Sequence, residues 1–263
     1  MTLRLFWANG SPNFGDFLSR DVVAWVSGRE VTWAPISGCE MIAVGSIYPW
    51  LRRSLRRRLR TVHVWGSGTL DIKPGMRADA RLAIAALRGP ITAAMAGVDD
   101  VTLGDPGLLT ACVWPDAADE TGDRPGLVLH YVHMAALNDR QRDRLDTLFD
   151  LIDVRSEDAE SVCRRIARCP IVFSSSLHGL VVADSYARPN VLVTPISATP
   201  RGFLKYHDYA LSIGRLIDTH RVDLATLIDS GLPTGLPESL PYRDRIEETK
   251  AALIASFPAA LKG

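Results

Sequence analysis

The sequence predicts an α/β fold of two Rossmann-like domains whose parallel sheets face each other across a cleft. Three observations carry this expectation. Short apolar runs alternate with helix-period segments over nearly all 263 residues, the pattern of β-α-β units with strands buried on both faces. Most apolar runs end in loops containing Gly, Ser or Asn, at the carboxyl ends of strands where open parallel sheets bind ligands. A polar, acidic, turn-rich stretch at 116–125 (DAADETGDRP) divides the chain. It gives an N-terminal domain over 1–120 and a C-terminal domain over 121–263 that ends in helices.

Residues 3–7 are an apolar strand followed by the turn-rich Ala-Asn-Gly-Ser-Pro-Asn-Phe-Gly-Asp. A helix is expected to start near Asp16, a good acceptor for free backbone N–H groups, because Phe17, Leu18, Val22 and Trp25 recur at helical spacing up to Gly28. Further strands are expected at 41–44, 62–65 and 82–87, ending in Gly45-Ser46, Gly66-Ser67-Gly68 and Arg88-Gly89-Pro90. Pro90 suits the first turn of the next helix. The second half reads as strand 127–132, helix 139–151, strand 152–154, helix 156–168 and strand 171–173. A helix after Ser176, strand 191–193 and mainly helical sequence complete it.

Hydrophobic residues make up 47% and charged residues 23%, which excludes a disordered or low-complexity chain. Lys plus Arg and Asp plus Glu number 30 each, so no global field exists for gripping nucleic acid and any polyanion site is local. No apolar run approaches the roughly 20 residues of a membrane span. The N-terminus turns polar too early for a leader peptide, so cytoplasmic residence is expected. Cys39, Cys112, Cys163 and Cys169 lack metal-ligand spacing and read as reduced and mostly buried.

Chemistry is sought in the strand-end loops. Asn13-Phe14-Gly15-Asp16 either aims backbone N–H groups at an anion or is a capped turn. Gly66-Ser67-Gly68 lets a ligand approach the backbone but lacks the third glycine of a dinucleotide fingerprint. Arg88, between a strand and a helix, is either a clamp for phosphate or carboxylate or half of a salt bridge. Asp105 organises its turn or binds a sugar hydroxyl. Ser174, Ser175 and Ser176 end a buried strand, and Leu177 and His178 open a helix. His178 would thus present a titratable ring at the cleft beside hydroxyls and N–H groups. Alternation along 127–132 sends His130 one way and His133 the other, leaving one histidine for the cleft. Lys205 lends a cation to a phosphate or starts a solvated helix.

Between 52 and 60 (RRSLRRRLR) lie six arginines: Arg52, Arg53, Arg56, Arg57, Arg58 and Arg60. Leu51, Leu55 and Leu59 form a stripe on the same helix. The stripe packs on the core below a solvated cationic face, or the helix docks on an anionic membrane surface or lipid diphosphate at about 1 kcal/mol per arginine.

Asn13-Phe14-Gly15-Asp16, Gly66-Ser67-Gly68, Arg88-Gly89-Pro90, Gly104-Asp105-Pro106, His130-Tyr131 and Ser174 to Gly179 follow in order, the last continuing Leu-Val-Val-Ala-Asp-Ser-Tyr-Ala-Arg-Pro-Asn. In these motifs the chain resembles the polysaccharide pyruvyl transferase family, in particular its bacterial exopolysaccharide, succinoglycan-type branch, where an element like Lys205 to Tyr209 also follows. The resemblance implies a glycosyltransferase-B-like architecture. It implies transfer of the enolpyruvyl group of phosphoenolpyruvate onto two hydroxyls of a polysaccharide-precursor sugar, forming a pyruvate ketal and releasing phosphate. Phosphoenolpyruvate is then a donor substrate, no cofactor or metal is expected, and the acceptor is a glycan, lipid-linked or free. Arg88 takes the place of the donor clamp and His178 that of the Leu-His-Gly histidine. Ser176 stands where many members have arginine, so Lys205, Arg201 or the basic helix must supply that cation. Protonation of the donor at C3 needs an acid, and His178 is the candidate. Asp16 comes first as base, before Asp105 and His130. The rival readings are a sugar-nucleotide-dependent glycosyltransferase and a non-catalytic protein that binds a glycan or lipid diphosphate.

Overall fold

The computed structural model describes residues 2–55, 60–72, 76–194 and 203–263, the side chains of 52–55 excepted. The first half comprises β1 (Leu3–Phe6), α1 (Phe14–Ser27), β2 (Val31–Trp33), β3 (Met41–Ile42), α2 (Tyr48–Leu55), β4 (Val62–Ser67), β5 (Leu82–Leu87), α3 (Pro90–Ala96), β6 (Thr102–Leu103) and α4 (Thr110–Val113). The second comprises β7 (Gly126–Leu129), α5 (Tyr131–Ala135), α6 (Asp139–Leu148), β8 (Asp150–Asp153), α7 (Ala159–Arg168), β9 (Val172–Ser174), α8 (Leu177–Ser185), β10 (Asn190–Thr194), α9 (Leu204–Ser212), β11 (Arg221–Asp223), α10 (Leu224–Ser230) and α11 (Arg243–Ser256).

The chain forms the expected α/β fold with two sheets, ordered β2-β1-β3-β4-β5-β6 and β11-β10-β9-β7-β8. Every pairing is parallel. The winding of the first sheet reverses between β1 and β3, and that of the second between β7 and β9. Such a reversal sends the two flanking connections to opposite faces and opens a crevice at the carboxyl ends of the strands.

The two halves share a core. One apolar cluster runs from Leu3, Leu5 and Phe14 to Val128, Ile152 and Val172. The Phe14 N–H donates to Val154 O at 2.9 Å, tying the start of α1 to the second half. The chain passes from one sheet to the other through 119–125, but α11 returns to the first sheet. There Trp65 Nε1 donates to Leu253 O at 3.1 Å and its ring meets Phe257 edge-on at 5.0 Å.

Several boundaries differ from the sequence reading, each for a local reason. Asn13, not Asp16, caps α1, its side chain accepting from the Gly15 N–H at 3.3 Å. The strand expected over 127–132 stops at Leu129, because His130 caps α5 by accepting the Val132 N–H on Nδ1. The helix expected to reach 151 ends at Leu148, since Asp150 to Asp153 pair with Gly126 to Leu129. The three-residue strands β2 and β11 are too short to show a period. Cys39, Cys163 and Cys169 are buried and Cys112 is half-buried. Among the described residues no helix is long and apolar enough to cross a membrane.

Candidate active site

The two crevices open onto one cavity of about 450 Å³. Asn13 and Asp16 enter it after β1, and Gly45 and Ser46 after β3. His130 and Tyr131 enter after β7, and Ser176, Leu177 and His178 after β9. Trp50, Leu70 and Lys205 complete its walls. Seven of the residues singled out from sequence therefore meet here: Asn13, Asp16, His130, Ser176, Leu177, His178 and Lys205.

Because Asn13 takes over the capping, the Asp16 carboxylate is left for the cavity. Asn13 Nδ2 donates to Asp16 Oδ2 at 2.9 Å. Burial pushes the Asp16 carboxyl above its usual range, countered by His178, the Asn13 hydrogen bond and Lys205. The group is thus held ready to take up a proton while facing two cationic or titratable partners.

His178 lies in the first turn of α8 with its side chain 10% exposed. Its Nε2 is enclosed without a hydrogen bond and faces Asp105 Oδ2 at 3.7 Å, a carboxylate oxygen equally enclosed and unpartnered. The other Asp105 oxygen accepts the Gly107 N–H at 2.9 Å and fixes the turn. Asp105 is fully buried, so it backs the histidine and does not meet a sugar. With Nε2 sealed off, Nδ1 is the nitrogen left to exchange a proton with a ligand. It lies over Gly15, where an added Cβ would come within 2.0 Å. Only glycine leaves room for the ring at this point of α1.

The cavity also favours an anion. Ser176 makes no side-chain capping bond to α8, so among the described residues its side chain leaves the amides of that helix's first turn uncapped, and they add the positive end of the helix dipole. Lys205 is the one lysine or arginine among the described residues that line the cavity. Burial, with the Arg88 charge, brings its ammonium down to about 8, opposed by Asp16. His130 is brought down to about 4 by burial, Lys205 and His133, and His133 is lowered by burial and Lys205. Both imidazoles are therefore neutral near pH 7. The helical turn after His130 puts His133 on the same side, correcting the alternation expected from a strand. His133 Nδ1 lies 2.8 Å from Ser175 Oγ, which also accepts the His130 N–H at 3.0 Å.

Other sequence candidates lie behind the cavity wall. Arg88, expected as a donor clamp, is fully buried and bonded on every side. Its Nε donates to Asp208 Oδ2 at 3.1 Å, one terminal nitrogen to Ser46 Oγ at 2.7 Å and the other to Thr69 O at 2.5 Å. It acts as a strut that aims Ser46 and joins β5 to α9, the helix carrying Lys205. Gly68 makes room for that guanidinium, 2.3 Å from where a Cβ would stand. Gly66, at φ 80°, forms the bulge in β4 that seats Pro106 and with it the Asp105 turn. Ser67 Oγ donates to Gly45 O at 2.9 Å. Ser174 Oγ bonds Val128 O and Ser176 O, and the Ser175 carbonyl accepts the Tyr206 hydroxyl at 2.8 Å. These groups hold the loops and do not line the cavity.

Sequence reasoning missed Ser46, Trp50, Leu70 and Tyr131 as wall residues and Asp208 as the partner of Arg88. Asp208 does lie in the Lys-x-x-Asp-Tyr element, the one signal that pointed to it. Arg201, Arg56, Arg57 and Arg58 lie outside the described residues, as do the side chains of Arg52 and Arg53. Arg60 is exposed, and Leu51 is buried on the core as its stripe requires. Among the described residues no group of three or more His, Cys, Asp or Glu side chains is placed to hold a metal ion.

The chain is similar to several known proteins. A 145-residue stretch is 30% identical to an uncharacterised protein of Acanthamoeba polyphaga mimivirus, covering 54% of this chain and 50% of that protein. Over 234 residues the chain is 28% identical to the succinoglycan biosynthesis protein ExoV of Rhizobium meliloti, covering 84% of this chain and 68% of ExoV. The chain thus spans half the length of the first relative and about two thirds of the second. In fold it resembles the crystal structure of a functionally uncharacterised protein of Klebsiella pneumoniae, with a TM-score of 0.50 at 9% identity over 84% of this chain and 92% of that one. Residues 9–197 match the family described as polysaccharide pyruvyl transferase. That segment is most of the chain and carries Asn13, Asp16, Asp105, His130 and His178, so the chain belongs to the polysaccharide pyruvyl transferase family.

Proposed function

We propose that the chain transfers the enolpyruvyl group of phosphoenolpyruvate onto two hydroxyls of a sugar in an exopolysaccharide precursor, forming a cyclic pyruvate ketal and releasing phosphate. One observation carries this reading. A histidine from one sheet and an aspartate from the other share one cavity with a lysine and an uncapped helix N-terminus, which supplies an acid, a base and an anion seat together.

In this mechanism the donor phosphate or carboxylate rests on Lys205 and the first-turn amides of α8, in place of an arginine at Ser176. The imidazolium of His178 gives its Nδ1 proton to C3, making the methyl group and leaving positive character at C2. The first sugar hydroxyl attacks C2 and gives its proton to Asp16. Phosphate leaves with the C2–O bond pair, the second hydroxyl closes the ketal, and its proton departs with phosphate. Transfer of the Asp16 proton back to His178 restores the starting state, and the mutual influence of these two groups supports that return. The Asp105 carboxyl group, 3.7 Å from Nε2, backs the ring on its sealed side.

The test is incubation with phosphoenolpyruvate and a panel of free and lipid-linked glycosides, following inorganic phosphate and the mass of the acceptor. Phosphate release matched by a pyruvate ketal on the acceptor is the expected result. Transfer from a uridine or guanosine diphosphate sugar, or acceptor binding with no phosphate release under any donor, would overturn the reading.

A further inference from the structure

We propose that an aromatic strip beside the cavity, Trp50, Phe6 and Trp33, is a track for an oligosaccharide, holding the sugars that adjoin the one to be modified. This rests on the reading of the cavity as the place where a sugar is modified.

Trp50 lines the cavity and is nevertheless 48% exposed. Its ring lies 5.9 Å from that of Phe6, and Phe6 lies 6.4 Å from Trp33, itself 40% exposed at the edge strand β2. Phe6 is buried, so it works as a spacer beneath two exposed indoles that lie at most about 12 Å apart by way of it. Trp33 Nε1 donates to Trp7 O at 3.1 Å. That bond fixes the indole and uses its single donor, so Trp33 offers a ligand its ring and no hydrogen bond. On the opposite wall Tyr131 is 41% exposed, its ring 4.4 Å from that of His130.

Scattered exposed apolar residues are ordinary, but two indoles joined through a buried ring and continuous with a polar cavity form a ligand surface. A pyranose suits it. The apolar C–H face of the sugar ring covers an indole while its edge hydroxyls stay in water or reach polar groups at the cavity mouth such as the exposed Ser11. A lipid chain would need an unbroken apolar channel, whereas this strip opens at its inner end onto Asn13, Asp16 and His130. The occupant is therefore a glycan longer than one sugar.

The test is calorimetric titration of the full chain, without donor, with succinoglycan-derived oligosaccharides from monosaccharide to tetrasaccharide. Affinity is expected to rise with length in the unaltered protein. Trp33→Ala should weaken tetrasaccharide binding about two- to tenfold, the value of one aromatic contact, and remove its gain over the disaccharide. Trp33→Phe should restore most of that gain, and equal melting temperatures exclude a folding defect. The track is overturned if no oligosaccharide binds, if affinity is independent of length, or if Trp33→Ala leaves the length dependence intact. It is also overturned if Trp33→Ala changes only sedimentation with anionic phospholipid vesicles. Phosphate release is scored separately: length-dependent binding without release would sink the transfer reading and keep the track, and release without length dependence would do the reverse.

Discussion

Replacing Gly15 with alanine adds one methyl group to α1, yet that carbon would stand 2.0 Å from His178 Nδ1 and 2.6 Å from Cγ. Ordinary contact begins at 3.4 Å, so the imidazole must withdraw by about 1.4 Å unless the helix moves instead. Helix movement is resisted at this point, because Phe14 is tied to Val154 O at 2.9 Å and the Asp16 N–H to Asn13 O at 2.9 Å. A displacement near 1 Å at a reacting group costs on the order of 100-fold in rate. Alanine is the better helix former by up to about 1 kcal/mol, which offsets only part of the about 1–3 kcal/mol that an added methyl costs against a packed side chain. The assay is phosphate release at saturating donor and acceptor, alongside thermal unfolding. A kcat roughly 100-fold down, with a modestly lowered melting temperature and a folded protein at the assay temperature, is expected. Full turnover by Gly15→Ala would refute the placement of the His178 ring or its role as the acid.

Three further outcomes follow from neighbouring contacts. Lys205 carries charge below about 8 and loses it above, so KM for phosphoenolpyruvate should climb as pH rises through that value; Lys205→Met should raise KM below that pH and abolish the climb, and a pH-independent KM in the native protein would contradict the assignment. Asp105→Asn replaces the carboxyl oxygen that faces His178 Nε2 at 3.7 Å and should lower kcat about ten- to a hundredfold, the range for a group that orients a working imidazole, with KM for the donor unchanged, both read from steady-state kinetics. Arg88→Met strands the buried Asp208 carboxylate, which should cost about 3–5 kcal/mol. At roughly 2–4 °C per kcal/mol that lowers the melting temperature by about 6–20 °C; adding Asp208→Leu should recover part of the loss, and a melting temperature unmoved by Arg88→Met would contradict the strut.

The architecture is legible because both sheets are parallel, so most of the central strands leave an apolar run ending in a turn. What escaped was short or cooperative. The strands β2 and β11 span three residues each and exist because neighbours pair with them, a cause that no periodicity records. His130 looked like the end of a strand, but its imidazole caps a new helix, and that turn decides where His133 points. Asp16 sits in the expected loop, but Asn13 does the capping and the carboxylate is freed for the cavity. Arg88 shows the limit most directly. Its position before a helix allowed a clamp or a salt bridge, and Asp208, which decides between them, is 120 residues away. His178 was found because a histidine after a buried, serine-ended strand has few places to go except the carboxyl end of the sheet. The exposed aromatic strip could not be seen, since its three rings come from three separate elements.

The central claim is that one imidazole protonates the methylene carbon of the donor. It is tested by running a single turnover in heavy water with phosphoenolpyruvate and a glycoside acceptor, for the native chain and for His178→Gln, and reading the ketal methyl group by mass spectrometry. The native protein should place one deuterium in that methyl group, and the glutamine variant should give the same product at a rate lower by about a hundredfold or more with donor binding retained. Deuterated ketal formed by His178→Gln at the native rate, or a product that keeps its methylene carbon unprotonated, would contradict it.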